Sequence, residues 1–219
     1  MKNIILVITL LGLVYPQSTG MFANTGESII GIEGQYDSED IEGSKMATTS
    51  VGGSYVLNGN LEIAVQYNMA KVEDDVNSAL DFDVDGLTLG GYYHIKASES
   101  LPVNIKVGGL FGEAKASADW LDDLGFELES NGTSLGGGVY KNVYQKGVLT
   151  VMGFFNFHSI STEVIISDSY GDSETTKDDY KSTSFGLAVR NGNIFVSPSI
   201  GRSDGESSFN VSFGFLLPQ

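Results

Sequence analysis

The chain has little of several things that common protein classes need. It contains no cysteine, four prolines, one tryptophan, two histidines and 12 basic residues against 28 acidic ones, for a net charge of −16. The absence of cysteine excludes disulfide scaffolds, thiolate metal sites and cysteine nucleophiles, and no cofactor is expected. The negative charge opposes binding to phosphate backbones, so we expect no nucleic-acid partner. Because 41% of its 219 residues are hydrophobic, we expect one folded domain rather than a disordered chain.

Long hydrophobic runs are also missing, except for one at the amino terminus. Lys2 precedes an apolar run over residues 4–14, and small and polar residues follow it. That order is typical of a secretory signal peptide, and the run is shorter than the about 20 residues that a transmembrane helix needs. We therefore predict a signal peptide over residues 1–23, cleaved after Gly20 or Ala23, and a folded domain over residues 24–219.

The folded region contains ten segments in which apolar and polar residues alternate with a period of two. Alternation bounded by Asn, Asp, Gly and Ser predicts β-strands, and several segments span nine residues or more, which suits tilted strands that cross a bilayer. The ten segments are approximately residues 29–36, 46–57, 60–72, 84–96, 103–117, 133–141, 148–161, 183–190, 193–201 and 207–216.

The two faces of these segments differ in a consistent way. One face is apolar, and the other carries mostly small and polar residues with few charges, whereas the wet face of a soluble sheet normally carries Lys and Glu. A polar lumen and an apolar surface turned to lipid account for both faces. In residues 60–72 the apolar face reads Leu61, Ile63, Val65, Tyr67 and Met69, and the other reads Glu62, Ala64, Gln66, Asn68 and Ala70.

The connections between the segments alternate between short and long. The short ones, with Asn-Gly pairs that suit two-residue hairpins, are residues 58–60, 97–102, 142–147 and 191–192; the long ones are 37–45, 73–83, 118–132, 162–182 and 202–206. The long connections and their strand ends hold 24 of the 28 acidic residues. Short turns on one side and long acidic loops on the other are typical of bacterial outer-membrane barrels, whose turns face the periplasm.

These features predict an all-β fold, a transmembrane up-and-down antiparallel β-barrel of ten strands, with an eight-stranded barrel as the alternative. We expect a monomer in the outer membrane of a Gram-negative bacterium, exported by a cleaved signal peptide. Its expected partners are outer-membrane lipid and lipopolysaccharide.

Two stretches resemble the small outer-membrane β-barrel proteins of the OmpA transmembrane-domain and OmpX type. Residues 51–61 follow that family's order of glycine, tyrosine, turn and apolar strand. The closing alternation of Phe209, Val211, Phe213 and Phe215 is similar to the family's carboxyl-terminal signal, which implies the barrel-assembly machinery as a partner during biogenesis. The family usually ends on the aromatic residue, whereas residues 216–219 follow it here.

Both histidines, His94 and His158, are predicted to point into the lumen and to make hydrogen bonds there. Counted from the turns, His94 lies near the periplasmic end and His158 near the other, roughly 30 Å apart at about 3.3 Å per residue. We therefore expect that they do not act together. Lipid A deacylases carry a His-x-Ser pair, but Ile160 stands where that serine would be, and we expect no enzymatic activity.

Charged residues supply two further candidate sites. Glu33, Glu62, Lys106 and Arg190 are predicted to form an ion-pair network in the lumen, because buried charges need partners. Alternation places Asp81, Asp83 and Asp85 on one side of the outer rim, as a candidate divalent-cation rim that bridges to lipopolysaccharide phosphates.

The leading functional hypothesis is a structural or surface-interaction protein that serves envelope integrity or adhesion. The alternative is a narrow porin-like channel for small solutes or cations, selected by its acidic mouth. A barrel enzyme that acts on lipid A or peptides is the third hypothesis.

Overall fold

Ten antiparallel strands close into a barrel in chain order, with β1 paired to β10. The computed structural model describes residues 19–41, 44–74, 77, 81–203 and 206–218. The prediction of a ten-stranded up-and-down barrel is therefore confirmed, and the eight-stranded alternative is wrong. The strands are β1 (Ile29–Ile41), β2 (Ser44–Leu57), β3 (Leu61–Asp74), β4 (Phe82–Ile95), β5 (Asn104–Ser117), β6 (Phe126–Lys146), β7 (Leu149–Asp168), β8 (Ser173–Asn191), β9 (Ile194–Ser203) and β10 (Glu206–Pro218).

Two short helical elements accompany the strands. A 3-10 turn, Thr19–Met21, precedes β1, and helix α1, Asp119–Leu124, connects β5 to β6 and ends at Gly125 in the left-handed conformation. Among the described residues, no helix has the length and apolar character needed to cross a membrane.

Short turns connect the strands at one end of the barrel, which we call the turn end. In the β2–β3 turn both Asn58 (φ 52°) and Gly59 (φ 73°) adopt positive φ, as a type I′ hairpin requires. A Cβ atom at position 59 would collide with the carbonyl oxygen of Asn24. The opposite end, which carries the β1–β2, β3–β4, β5–β6, β7–β8 and β9–β10 connections, is the loop end.

The strands reach much further at the loop end than the sequence predicts. Strand β7 continues to Asp168 and β8 begins at Ser173, so most of the predicted loop over residues 162–182 is a hairpin. The predicted loop over residues 37–45 is likewise almost entirely strand. The prediction of long loops was wrong at these places, because the alternation continues there. Its two faces are exchanged on β7, where Val164 points inward and Glu163 outward, whereas on β1 the acidic Glu39 still points inward and is buried.

The exchange of faces is clearest along β3. Residues 61–69 turn apolar side chains outward, where Ile63 is 60% exposed, and polar side chains such as Gln66 inward. Two residues further, the outward side chains are Lys71 and Glu73, and the inward ones are the buried Ala70 and Val72. The same exchange occurs on β4, with Asp83 and Asp85 outward, and on β5, with Glu113 and Lys115 outward. An apolar medium around the first part and water around the second explain this pattern.

The outward apolar residues form a continuous band around the barrel. We call it the apolar band; most charged outward side chains lie beyond it at the loop end, and Lys141 on β6 is exposed near the turn end. Exposed members on successive strands include Ile32, Val51, Val65, Leu89, Val107, Leu135, Phe157, Phe185, Val196 and Phe213.

Inside the barrel, apolar side chains gather near both ends. The loop-end cluster joins six strands to Leu121 of α1; its buried members are Met46, Ala70, Val72, Phe82, Val84, Ala114, Ala116, Leu121, Leu128 and Val164. The turn-end cluster surrounds residues 21–23; its members are Met21, Phe22, Ala23, Ile29, Val56, Tyr140, Met152, Phe154, Ala188, Phe195 and Leu216.

Residues 19–23 are buried at the turn end. The ring of Phe22 lies 5.3 Å from that of Phe195, between centroids, and the hydroxyl of Ser54 donates to that of Thr19 at 2.6 Å. Both predicted cleavage positions, Gly20 and Ala23, fall in this segment. Residues 1–18 lie outside the described residues, and the signal peptide stays a prediction.

A closed barrel predicts heat-modifiable migration on electrophoresis. All ten strand pairs are hydrogen-bonded in a ring without an edge, so an unboiled sample in detergent is expected to stay folded and to migrate differently from a boiled one. The measurement is a gel of purified outer membranes with both treatments. Identical migration, with the protein in the soluble fraction, would contradict the membrane barrel.

Candidate functional site

A chain of buried polar groups crosses the lumen near the turn end. Glu62 on β3 and His94 on β4 form a hydrogen bond of 2.9 Å between Oε2 and Nε2. The other ring nitrogen of His94, Nδ1, lies 3.0 Å from the hydroxyl of Tyr140 on β6. The three side chains are 2% exposed or less. Glu62 also accepts a hydrogen bond from the backbone N–H of Gly20 at 3.1 Å, so its carboxylate is held by two donors.

Lys96 extends this chain toward the turn end. It lies after the last residue of β4, and its Nζ donates to the carbonyl oxygens of Gly20 (2.9 Å) and Ala23 (2.6 Å) and to the hydroxyl of Tyr140 (3.2 Å). Burial lowers the pKa of Lys96 to about 8, against the attraction of Glu62 and Glu27. Two backbone carbonyls and a phenol therefore hold an ammonium group whose charge they do not neutralise.

The structure brings three of the four predicted network charges together. Lys106 on β5 is 4% exposed and is attracted electrostatically by Glu62 and Glu33, and its Nζ lies 5.1 Å from the centroid of the Tyr92 ring. Arg190 is elsewhere: its Nε donates to Gly192 O at 2.7 Å and its Nη1 to Phe22 O at 3.1 Å. The role of these four residues as a gate or a structural network stays a prediction.

The two histidines are both buried and hydrogen-bonded in the lumen, as predicted. His158 Nδ1 lies 3.2 Å from the hydroxyl of Ser134. The predicted separation of roughly 30 Å was wrong, since the ring of His158 stands 6.4 Å, between centroids, from that of Tyr92, two residues along β4 from His94. The count from the turns failed because the β6–β7 hairpin projects beyond its neighbour: β5 begins opposite Tyr140, and β6 continues to Lys146.

Inward glycines make room for large inward side chains on the next strand. Gly108 lies opposite Tyr92, Gly136 opposite His158 and Gly214 opposite Phe195. At each of these glycines a Cβ atom would collide with the backbone or the ring of its partner. These three glycines are therefore covered by neighbouring rings and do not widen the bore.

Other inward side chains meet across the lumen. Tyr92 on β4 and Leu110 on β5 share a buried cluster with Ile160 on β7 and Tyr180 on β8. Strands β4 and β8 are not neighbours in the barrel, so this cluster bridges opposite walls. With the two end clusters, it obstructs the lumen at three levels.

The three aspartates of the candidate divalent-cation rim lie at the loop end. Asp83 and Asp85 point outward and stand opposite Lys71 on β3 and Lys115 on β5, respectively, while Asp81 lies just before β4 and its carbonyl accepts a hydrogen bond from Trp120. No group of three or more metal-ligating side chains occurs among the described residues. Cation bridging to lipopolysaccharide stays a prediction.

The hydrogen bonds among Glu62, His94 and Tyr140 hold the Glu62 carboxylate and the His94 ring in fixed positions. Glu62 and Tyr140 engage both ring nitrogens of His94, so neither is directed at a cavity where a substrate could lie, as a general base requires. Sequence alternation placed Glu62 and His94 in the lumen, but it could not show that they meet or that Tyr140 joins them. The role of Lys96 was missed. Alternation in the predicted segment over residues 84–96 gives Lys96 the same face as His94, but it could not show the contacts with the carbonyls of Gly20 and Ala23.

The chain was compared with known protein families, characterised proteins and solved structures. No protein-family model matches the chain, and no characterised protein matches it in sequence. The translocator domain of the autotransporter NalP from Neisseria meningitidis is 17% identical, over 88% of this chain and 89% of that one, with a TM-score of 0.42. The outer membrane protein OprG from Pseudomonas aeruginosa is 11% identical, over 89% and 98%, with a TM-score of 0.40.

A third similar structure, LpxR from Salmonella typhimurium, is 13% identical over 88% of this chain and 85% of that one, with a TM-score of 0.39. These values carry no conclusion about activity. The strand pairing itself gives this chain the fold of the small outer-membrane β-barrel proteins.

Proposed function

We propose that the protein is an integral outer-membrane β-barrel whose role is structural or surface-interacting, in envelope integrity or adhesion. The turn end would face the periplasm and the loop end the exterior, as in bacterial barrels with short periplasmic turns. The apolar band supports the membrane position, because large exposed apolar surfaces are rare on soluble monomers.

The observation that carries the structural role is the obstructed lumen. The bridging cluster of Tyr92, Leu110, Ile160 and Tyr180 fills the middle, and an apolar cluster lies at each end. Small barrels have interiors that side chains can fill. This arrangement favours a structural protein over the narrow porin-like channel.

The surface-interaction role rests on the part of the barrel beyond the apolar band. There the β7–β8 hairpin projects furthest, with outward Glu163 and Lys177 paired at 3.4 Å and Tyr170 at its tip 92% exposed. A paired hairpin presents its side chains in a fixed arrangement, which suits recognition of an external surface.

Single-channel recording in planar bilayers tests the proposal. The folded wild-type protein is expected to show no stable conductance steps, with a general porin as the positive control. Regular steps would contradict the structural role and favour the channel. In that case Tyr92→Ala should enlarge the steps, because it removes an inward ring, whereas Tyr93→Ala should not, because Tyr93 points outward and is 50% exposed.

A further inference from the structure

A polar cavity of about 470 Å³ opens at the turn end of the barrel. We call it the turn-end pocket. Three hairpin connections and residues 21–25 line it, and its cationic and carboxamide residues include Lys96, Arg190, Asn24, Asn142, Gln145 and Asn193. Its volume is in the range of about 300–1,000 Å³ that small-molecule sites occupy.

The charge of the turn-end pocket is opposite to that of the whole protein. The described residues that line it include two cations, Lys96 and Arg190, and no aspartate or glutamate, although the chain carries a net charge of −16. Glu62 and Glu27 attract Lys96 but do not line the pocket; Glu62 binds His94 and Gly20, and Glu27 accepts from the backbone N–H and the Nδ2 of Asn24. The charged side chains in the lining itself are therefore all positive.

The N–H groups of both cations donate to neutral acceptors, which a carboxylate could replace. In their described hydrogen bonds, Lys96 and Arg190 donate to backbone carbonyls and to a phenol, all of which are neutral. A neutral acceptor holds a cation more weakly than a carboxylate does. The remaining N–H groups on Nη1 and Nη2 of Arg190 can bind a second acceptor in the fork geometry that matches a carboxylate.

We propose that the turn-end pocket binds a small compound with a free carboxylate. Arg190 would bind the carboxylate directly, Lys96 would contribute its charge, and the side-chain amides would pair with the polar groups next to the carboxylate, since an amide both donates and accepts. The two sources of this chemistry are a free small acid and the carboxyl end of a short peptide. Cleavage after Gly20 would keep every lining residue, whereas cleavage after Ala23 would remove Met21, Phe22 and Ala23 from the wall and both carbonyl partners of Lys96.

Isothermal titration calorimetry of the purified, folded mature protein in non-ionic detergent tests the proposal. The probes are succinate, trialanine, trialanine amide and inorganic phosphate, and intact mass reports the amino terminus. Saturable binding of succinate or trialanine is expected, and the amide should bind at least tenfold more weakly than trialanine. Binding of trialanine alone would identify a peptide end, and binding of both would identify a general carboxylate site. No saturable binding of either acid, or phosphate binding as tightly as they do, would overturn the proposal.

Matched variants distinguish specific binding at Arg190 from general attraction of an acid to positive charge. Arg190→Gln is expected to weaken binding about tenfold or more, because a hydrogen bond to a charged group is lost, and Arg190→Lys should fall between that variant and the wild type. Lys141→Gln removes a cation from an exposed position near the same end, outside the lining residues, and should bind within about twofold of the wild type. Equal losses in Lys141→Gln and Arg190→Gln would overturn the proposal, and the heat-shift gel checks that each variant folds.

The pH dependence supplies a second readout. Binding is expected to weaken as the pH rises through about 8, where Lys96 loses its proton, while the guanidinium of Arg190 stays charged. The groups that face Lys96 are Glu62, Glu27 and Tyr140. Lys96→Gln should bind the acid more weakly at neutral pH, and its affinity should no longer fall as the pH rises through about 8. If the variant and the wild type show the same pH dependence of binding, Lys96 does not have the role assigned to it.

Discussion

Glu62→Ala is expected to lower the free energy of unfolding by about 3–5 kcal/mol, the loss measured when one partner of a buried charge pair is removed. Glu62 is 1% exposed, and its carboxylate binds both His94 Nε2 and the N–H of Gly20. Without it, two donors stay buried without an acceptor, and Lys106 loses one of the two carboxylates that attract it. Glu62→Gln keeps the shape and one acceptor oxygen, so its loss should be smaller.

Urea titration of the protein refolded into lipid vesicles measures this loss. The matched control is Glu73→Ala on the same strand, where an exposed carboxylate pairs with Lys71 in water. Exposed ion pairs are screened and contribute little to stability, so this control should have the same urea midpoint as the wild type. A Glu62→Ala midpoint equal to that of the control would show that the buried chain adds nothing to stability.

Leu89→Arg is expected to make folding into vesicles less favourable by about 2–4 kcal/mol, the cost of a cation on the lipid face near the bilayer midplane. Leu89 points outward from the middle of the apolar band and is 50% exposed. A guanidinium at this position would have to leave water or deform the bilayer around it.

Ser117→Arg is the control for that measurement. Ser117 also points outward and is exposed, but it lies beyond the apolar band, opposite Asp83. The same side chain should therefore change stability little there. Equal effects at the two positions would show that the band does not contact hydrocarbon, and the membrane assignment would fail.

The sequence predicted the parts of this structure that depend on local alternation. Alternate residues along a strand point to opposite faces, so Glu62, His94, Lys106 and His158 could each be assigned to the lumen from their own strand. The Asn-Gly turn at residues 58–59 was predicted for a similar reason, since its backbone conformation requires these residue types.

The parts that depend on the offset between strands could not be predicted. No local pattern shows that β6 continues six residues beyond the start of its neighbour β5, and this offset brings His158 beside Tyr92 and Tyr140 beside His94. The loop-end parts of β6 and β7 were missed because their outward residues include charged ones. Such a segment looks like a charged loop if every strand is assumed to lie in lipid. Charge alone does not distinguish a loop from a strand whose outward face is in water.

In the proposed membrane position, the exchange of polarity along β3, β4 and β5 would also set the depth of the barrel in the bilayer. Met69 and Lys71 are successive outward residues on β3, and Leu87 and Asp85 mark the same boundary on β4. Movement toward the exterior would wet apolar side chains on every strand at once, and movement inward would draw Lys71 and Asp85 into hydrocarbon. The boundary between apolar and charged outward residues would therefore define the depth of the barrel in the proposed membrane position.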